Sequence, residues 1–250
     1  MKLPNIIPVI FHNLKGYDSH LLMQELGKFD KGINVIPSNM EKYMSFLVGN
    51  EVSYHNKQTD KDKDKVFTRE IFNLKFIDSY QFMPSSLAQL VTDLKRSSKD
   101  KLADKFKYTS EEFGEDTQLM TRKGIYPYSY MDCWDKFDVT PETLTKIDFR
   151  NDLTGDDITD EDFEFYSEVC NKFNIKSLGE HHDLYLKSDV LLLADVFENF
   201  RKTCFEYYHL DPCHYISSPG LAWAAMLKMT DVELELISDI DMYLFIEKGL

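Results

Sequence analysis

The run HHDLYLKSDVLLLADVFENFR, residues 181–201, decides how this chain is read. It lies inside Leu178 to Tyr208, where Leu186, Val190, Leu193, Phe197 and Phe200 recur at steps of three and four. That period puts apolar side chains along one side of an α-helix. Pro212 ends the stretch, because proline lacks the amide hydrogen a helix needs.

Working outward, Ser217-Ser218-Pro219 opens a further helix carrying Leu221, Met226 and Leu227. On the N-terminal side, Thr154 to Asp162 is acidic and turn-like, and Asp160 begins a helix that runs to about Phe173. Ile125 to Trp134, rich in aromatics and proline, reads as a packed loop, and Ser97 to Phe113 is charged and weakly patterned. Pro84 and Ser85-Ser86 open a helix with Leu87, Leu90, Val91 and Leu94 on one face.

The N-terminal third is strand-like. Asn5 to Phe11 is a short Ile/Val-rich run that reads as a buried strand. A polar turn with Gly16 follows, then a helix through Leu21, Leu22 and Leu26 that Asp18 or Ser19 is placed to cap. Tyr43 to Tyr54 reads as two short strands turning at Gly49-Asn50. Lys57 to Lys65 is a solvated charged loop, and Ile71 to Tyr80 is a further strand. Strands first and long helices afterwards define an α/β or α+β chain.

Composition narrows the function. With 43% hydrophobic and 14% aromatic residues, the 250-residue chain has enough apolar side chains for a sizeable core. A net charge of -14 argues against a protein that simply coats phosphates. It leaves room for an enzyme that holds cations with carboxylates. Cys133, Cys170, Cys204 and Cys213 form no CxxC pair and read as reduced thiols. No signal peptide is evident, and no apolar run approaches the roughly 20 residues that span a bilayer. The expectation is a soluble, intracellular protein without a membrane partner.

Four segments hold chemistry-bearing residues. Asn13-Leu14-Lys15-Gly16-Tyr17-Asp18 directly follows a strand. Tyr185-Leu186-Lys187-Ser188-Asp189 sets a phenol and a carboxylate one helical turn apart on the same face. Asp189 abuts the apolar run Val190 to Leu193, so its charge needs a partner, and a metal ion is a good one. Ser86-Leu87 starts a helix, and Lys123 begins Lys-Gly-Ile-Tyr. Singly, these also read as a turn, a helix cap, a core leucine and a surface lysine.

Taken together and in this order, the segments resemble the exonuclease motifs of DNA polymerases from the protein-primed branch of family B. TRKGIYPYSYMDCWDKF, KSLGEHHDLYLKSDVLLLADVFENFR and SPGLAWAAMLKMT carry most of the resemblance. It implies an α/β, RNase H-like 3′–5′ exonuclease domain over residues 1–207, with 208–250 as the opening segment of a polymerase domain. It also implies Asp18 and Asp189 as ligands of a Mg2+ or Mn2+ pair, Tyr185 as the group that positions water, and Lys123 as support for the site. Asn13, Tyr17, Ser86 and Leu87 would contact single-stranded DNA at a primer terminus, and the Ser86-Leu87 segment also a terminal priming protein.

The sequence departs from that family in two ways. No Asp-x-Glu precedes Asn13; Asp162-Phe163-Glu164 has the right letters but falls inside an acidic helix. The polymerase signatures are absent as well, and Asp239-Ile240-Asp241 reads as a structural turn. A polymerase fragment without activity of its own is therefore expected. The alternatives are a non-catalytic remnant that binds single-stranded DNA or a terminal protein, and a free-standing two-metal nuclease.

Overall fold

The computed structural model describes residues 6–28, 32–39, 42–55, 66–96, 101–235 and 237–248. Four strands, β1 (Ile6–Phe11), β2 (Ile33–Pro37), β3 (Tyr43–His55) and β4 (Val66–Asp78), form one mixed sheet in the order β1-β4-β3-β2. β1 runs parallel to β4, while β3 is antiparallel to both β4 and β2. The helices are α1 (Asp18–Leu26), α2 (Leu87–Arg96), α3 (Leu102–Lys105), α4 (Lys107–Phe113), α5 (Thr117–Met120), α6 (Asp160–Lys172), α7 (Leu178–Tyr208), α8 (Ser218–Thr230) and α9 (Ile240–Lys248). The chain is thus a mixed α/β protein whose sheet is flanked by helices.

Strand alternation sorts the core onto two faces. Val9, Phe11, Phe46, Val48, Leu74 and Phe76 point toward Leu22, Met23 and Leu26 of α1. Phe46 and Phe76 stack there at 4.4 Å between ring centroids. Ile10 and Ile77 point the other way, against Phe200 and Cys204 of α7 and Leu221 of α8. Each such buried side chain contributes about 1.5–3 kcal/mol. Two ties fix the region after Tyr208: Lys75 Nζ of β4 donates to the Cys213 carbonyl at 3.0 Å, and Ser218 Oγ donates to the carbonyl of Phe82, just beyond β4, at 3.1 Å. In α9 the side chains from Ile240 to Glu247 are all exposed.

Beyond the sheet, α2 and α7 share a second core of Leu87, Val91, Phe106, Leu192 and Val196. A third core joins α6 and the start of α7 through Tyr166, Cys170, Ile175 and Leu178. Helix ends follow their caps. Thr159 starts α6 by accepting from the Asp162 amide, Ser177 starts α7 by accepting from Glu180, and His209 closes α7 in the left-handed region at φ 53°.

Three local expectations are corrected. First, Tyr43 to Tyr54 is no hairpin: β3 runs unbroken through Gly49-Asn50, with a register shift between Asn50 and Glu51. Gly49 serves a different purpose. A Cβ there would meet Asn73 Oδ1 at 3.3 Å, so the missing side chain makes room for a buried cross-strand asparagine. The Lys57–Lys65 loop lies outside the described residues. Second, neither Asp18 nor Ser19 caps α1. The cap position is Tyr17, without a side-chain bond, and Asp18 is the first helical residue. Third, Leu186 and Val190 do not face the core of α7; they are 54% and 58% exposed. The buried side instead runs through His181, Ser188, Leu192, Asp195 and Val196. Asp239 caps α9, accepting from the amides of Asp241 and Met242, so Asp239-Ile240-Asp241 is structural. Among the described residues no helix is long and apolar enough to cross a membrane.

Candidate active site

β1 delivers the chain into a bracketed turn. Asn13 adopts a left-handed conformation, φ 66°, and Gly16 N donates to the Asn13 carbonyl at 3.0 Å. The Asn13 side chain folds over Gly16, where a Cβ would stand 2.7 Å from its Oδ1, so a larger residue there would have to push that side chain aside. Asp78, fully buried at the end of β4, accepts from the backbone amides of Asn13, Lys15 and Tyr80 at 2.8, 3.1 and 3.0 Å. A carboxylate satisfied by three amides is a rigid brace. It presents Tyr17, 68% exposed, and sets Asp18 at the α1 N-terminus, where the helix dipole favours a negative charge.

His12 joins this turn to the start of α2. One ring nitrogen pairs with Ser79 Oγ at 2.9 Å, and Nε2 with the Ser85 carbonyl at 2.8 Å. Ser86 is exposed, and its Oγ accepts from the Gln89 amide as a helix cap. Leu87 is buried in the α2–α7 core, so its side chain is not offered to a ligand.

A second group forms where the segment after α5 crosses α7. Lys123 Nζ lies 3.3 Å from Asp189 Oδ2 and 5.7 Å from the centre of the Tyr185 ring. The Tyr185 hydroxyl is hydrogen-bonded to that of Tyr128. Tyr126 completes the wall: its ring is 5.0 Å from Tyr185 and 5.1 Å from Tyr128, and its hydroxyl pairs with His182 Nδ1 at 2.9 Å. Burial pushes the Tyr185 phenol up to about 12, and the negative charge of Asp189 adds to that push. The hydroxyl therefore keeps its proton through neutral pH. Behind it, burial holds His181 down to about 4, with His182 contributing in the same direction.

Asp189 Oδ1 is buried and has no hydrogen-bond partner among the described residues. A bare carboxylate oxygen is costly inside a protein and suits a hard cation or a donor from a ligand. Lys123, Tyr185 and Asp189, three residues expected to act together, thus meet. Among the described residues, Asp18 makes no hydrogen bond or ion pair with them. α1 lies on one face of the sheet, while the C-terminal half of α7 packs on the other. Among the described residues no group of three or more His, Cys, Asp or Glu side chains could hold a metal ion. Asp162, the first letter of the second Asp-x-Glu, is occupied at the start of α6, bonded to Thr159 and Arg122.

Sequence reading missed Asp78, His12 and Tyr128. Asp78 and His12 are bound by partners more than 60 residues away, and no spacing rule announces that. Tyr128 sat in view within a segment read only as packing. Compared with family models, with curated proteins and with solved structures, the chain matches none.

Proposed function

We propose that the chain is the 3′–5′ exonuclease region of a protein-primed family B DNA polymerase, on an RNase H-like fold, followed by the opening segment of a polymerase domain. The observation that supports this most is the Lys123–Tyr185–Asp189 group, with its 3.3 Å ion pair. The resemblance drew Lys123 from one segment and Tyr185 with Asp189 from another, and assigned them to one site. A mixed sheet with helices on both faces is compatible with the fold.

In this reading Asp189 would hold Mg2+ or Mn2+, with Asp18 as the second ligand the resemblance implies; Asp189 Oδ1, unpartnered among the described residues, fits such an ion, although no cluster of three or more His, Cys, Asp or Glu side chains forms there. When bound, the metals supply an activated water and stabilise the leaving oxygen. The chain's own residues do the rest. Lys123 pairs with Asp189 and fixes its orientation, and Tyr185 donates a hydrogen bond that orients the attacking water. Asn13, Tyr17 and Ser86 meet the single-stranded primer terminus, and Leu87 anchors Ser86 from the core. The start of α2 is also the surface for a terminal priming protein.

A second reading, a non-catalytic module for single-stranded DNA or a terminal protein, is favoured by the same ion pair. A lysine on Oδ2 competes with any cation for that carboxylate. Fluorescence anisotropy with a labelled oligothymidylate, run beside a mononucleotide-release assay in Mg2+, tests both. Strand binding weakened by Tyr17→Ala, with at most a trace of release, is the expected result. Release abolished by Asp189→Ala would instead mark a free-standing nuclease. No strand binding at all would end the polymerase-derived reading.

A further inference from the structure

A cleft of about 570 Å³ opens between α2 and the segment 121–125, beside the Lys123–Asp189 pair. Lys95, Arg122 and Lys123 line it, with Glu161 and Asp162 opposite and Asp189 paired to Lys123. The three cations are not equivalent. Arg122 is fixed, paired with Asp162, 3.8 Å from Glu161 and seated on the Phe165 ring at 4.4 Å. Lys123 is engaged by Asp189. Lys95 donates to the Thr121 carbonyl at 2.9 Å and has no carboxylate partner among the described residues. An ammonium group has three donors, so two remain for the cleft.

We propose that this cleft is a phosphate subsite, in which Lys95 holds a phosphodiester of a single-stranded nucleic acid on the approach to Asp189. The inference rests on the strand-binding reading above and adds the position and the residue. Burial, with Arg122 nearby, already lowers the Lys95 pKa. Two cations held close in a concave wall repel, and an anion between them relieves that repulsion. The exposed Thr92 on α2 stands at the same wall.

The test is anisotropy of a labelled oligothymidylate without divalent cations, across a salt series, for the full chain and for two variants. Lys95→Met keeps the aliphatic stem and removes the charge. Thr92→Glu sets a carboxylate at the wall and leaves Lys95 in place. Lys95→Met should weaken binding roughly 3- to 10-fold and reduce the salt slope by about 0.7, the loss of one phosphate contact. Thr92→Glu should weaken binding at least as much. Strand binding unchanged in both variants overturns the subsite and leaves the strand-binding reading standing. Pyrophosphate binding that depends on Lys95, without any oligothymidylate binding, overturns the assignment to a strand. Binding of neither probe overturns both.

Discussion

The ring of Tyr185 rests on the backbone of Gly124: a Cβ at position 124 would come within 2.7 Å of Tyr185 Cδ2. Glycine is therefore what lets the loop carrying Lys123 lie flat on α7. Gly124→Ala should push the ring aside, break its bond to Tyr128 and cost about 1–3 kcal/mol through overpacking. Urea denaturation of the variant measures that cost. Adding Tyr185→Ala should recover part of it, because the clashing ring is gone; no recovery would mean the strain lies elsewhere.

Asp195 pins α4 to α7. It is 1% exposed and accepts from the amides of Tyr108 and Thr109 at 2.9 and 3.0 Å and from Thr109 Oγ1 at 2.6 Å. Asp195→Ala leaves two buried donors of Thr109 and the part-buried Tyr108 amide unmatched, a loss of about 3–5 kcal/mol. Its urea midpoint should drop more than that of any single exposed substitution on α7, such as Leu186→Ala.

The α7 helix shows how far sequence reaches. Its limits, Leu178 and Tyr208, are legible because steps of three and four fill the stretch and Pro212 closes it. Its buried side is not, because three positions on that side are His181, Ser188 and Asp195, which a hydrophobic pattern scores as outward. Their partners are backbone amides, rings and a neighbouring turn, identified only by tertiary packing. The Gly49-Asn50 dipeptide misled for a related reason: a turn signal and a space-making glycine look alike in one dimension. Of the candidate site, the Tyr185–Asp189 spacing and Lys123 were readable from sequence. The Asp78 brace beneath Asn13 was not, because a lone aspartate after an apolar run carries no mark of its amide partners.

His181 predicts an acid sensitivity. Its pKa falls from 6.5 to about 4 on folding, so the native state favours the neutral ring. The associated stability is complete above about pH 6.5 and is lost as pH falls toward 4, amounting to about 3 kcal/mol. His181→Phe keeps a ring beside Tyr126 and Tyr166 and removes the titration. The difference in unfolding free energy between the two proteins should be nearly flat from pH 7 to 8. It should move in favour of the variant from pH 6.5 down to 4.

The Lys123–Asp189 pair is partly open to water, so its coupling should be modest. A double-mutant cycle with Lys123→Met and Asp189→Asn should give about 0.5–1 kcal/mol. A value near zero would show that the two groups do not sense each other in solution.

The 31 residues of α7 form one uninterrupted rod, about 46 Å long at the usual rise per residue. One end carries Tyr185 and Asp189, and the other is clamped to the sheet through Phe200 and Cys204. With no hinge between them, the aim of the carboxylate is surveyed from a distant foundation. A shift in how the sheet seats Phe200 would swing Asp189 as a lever arm swings its tip.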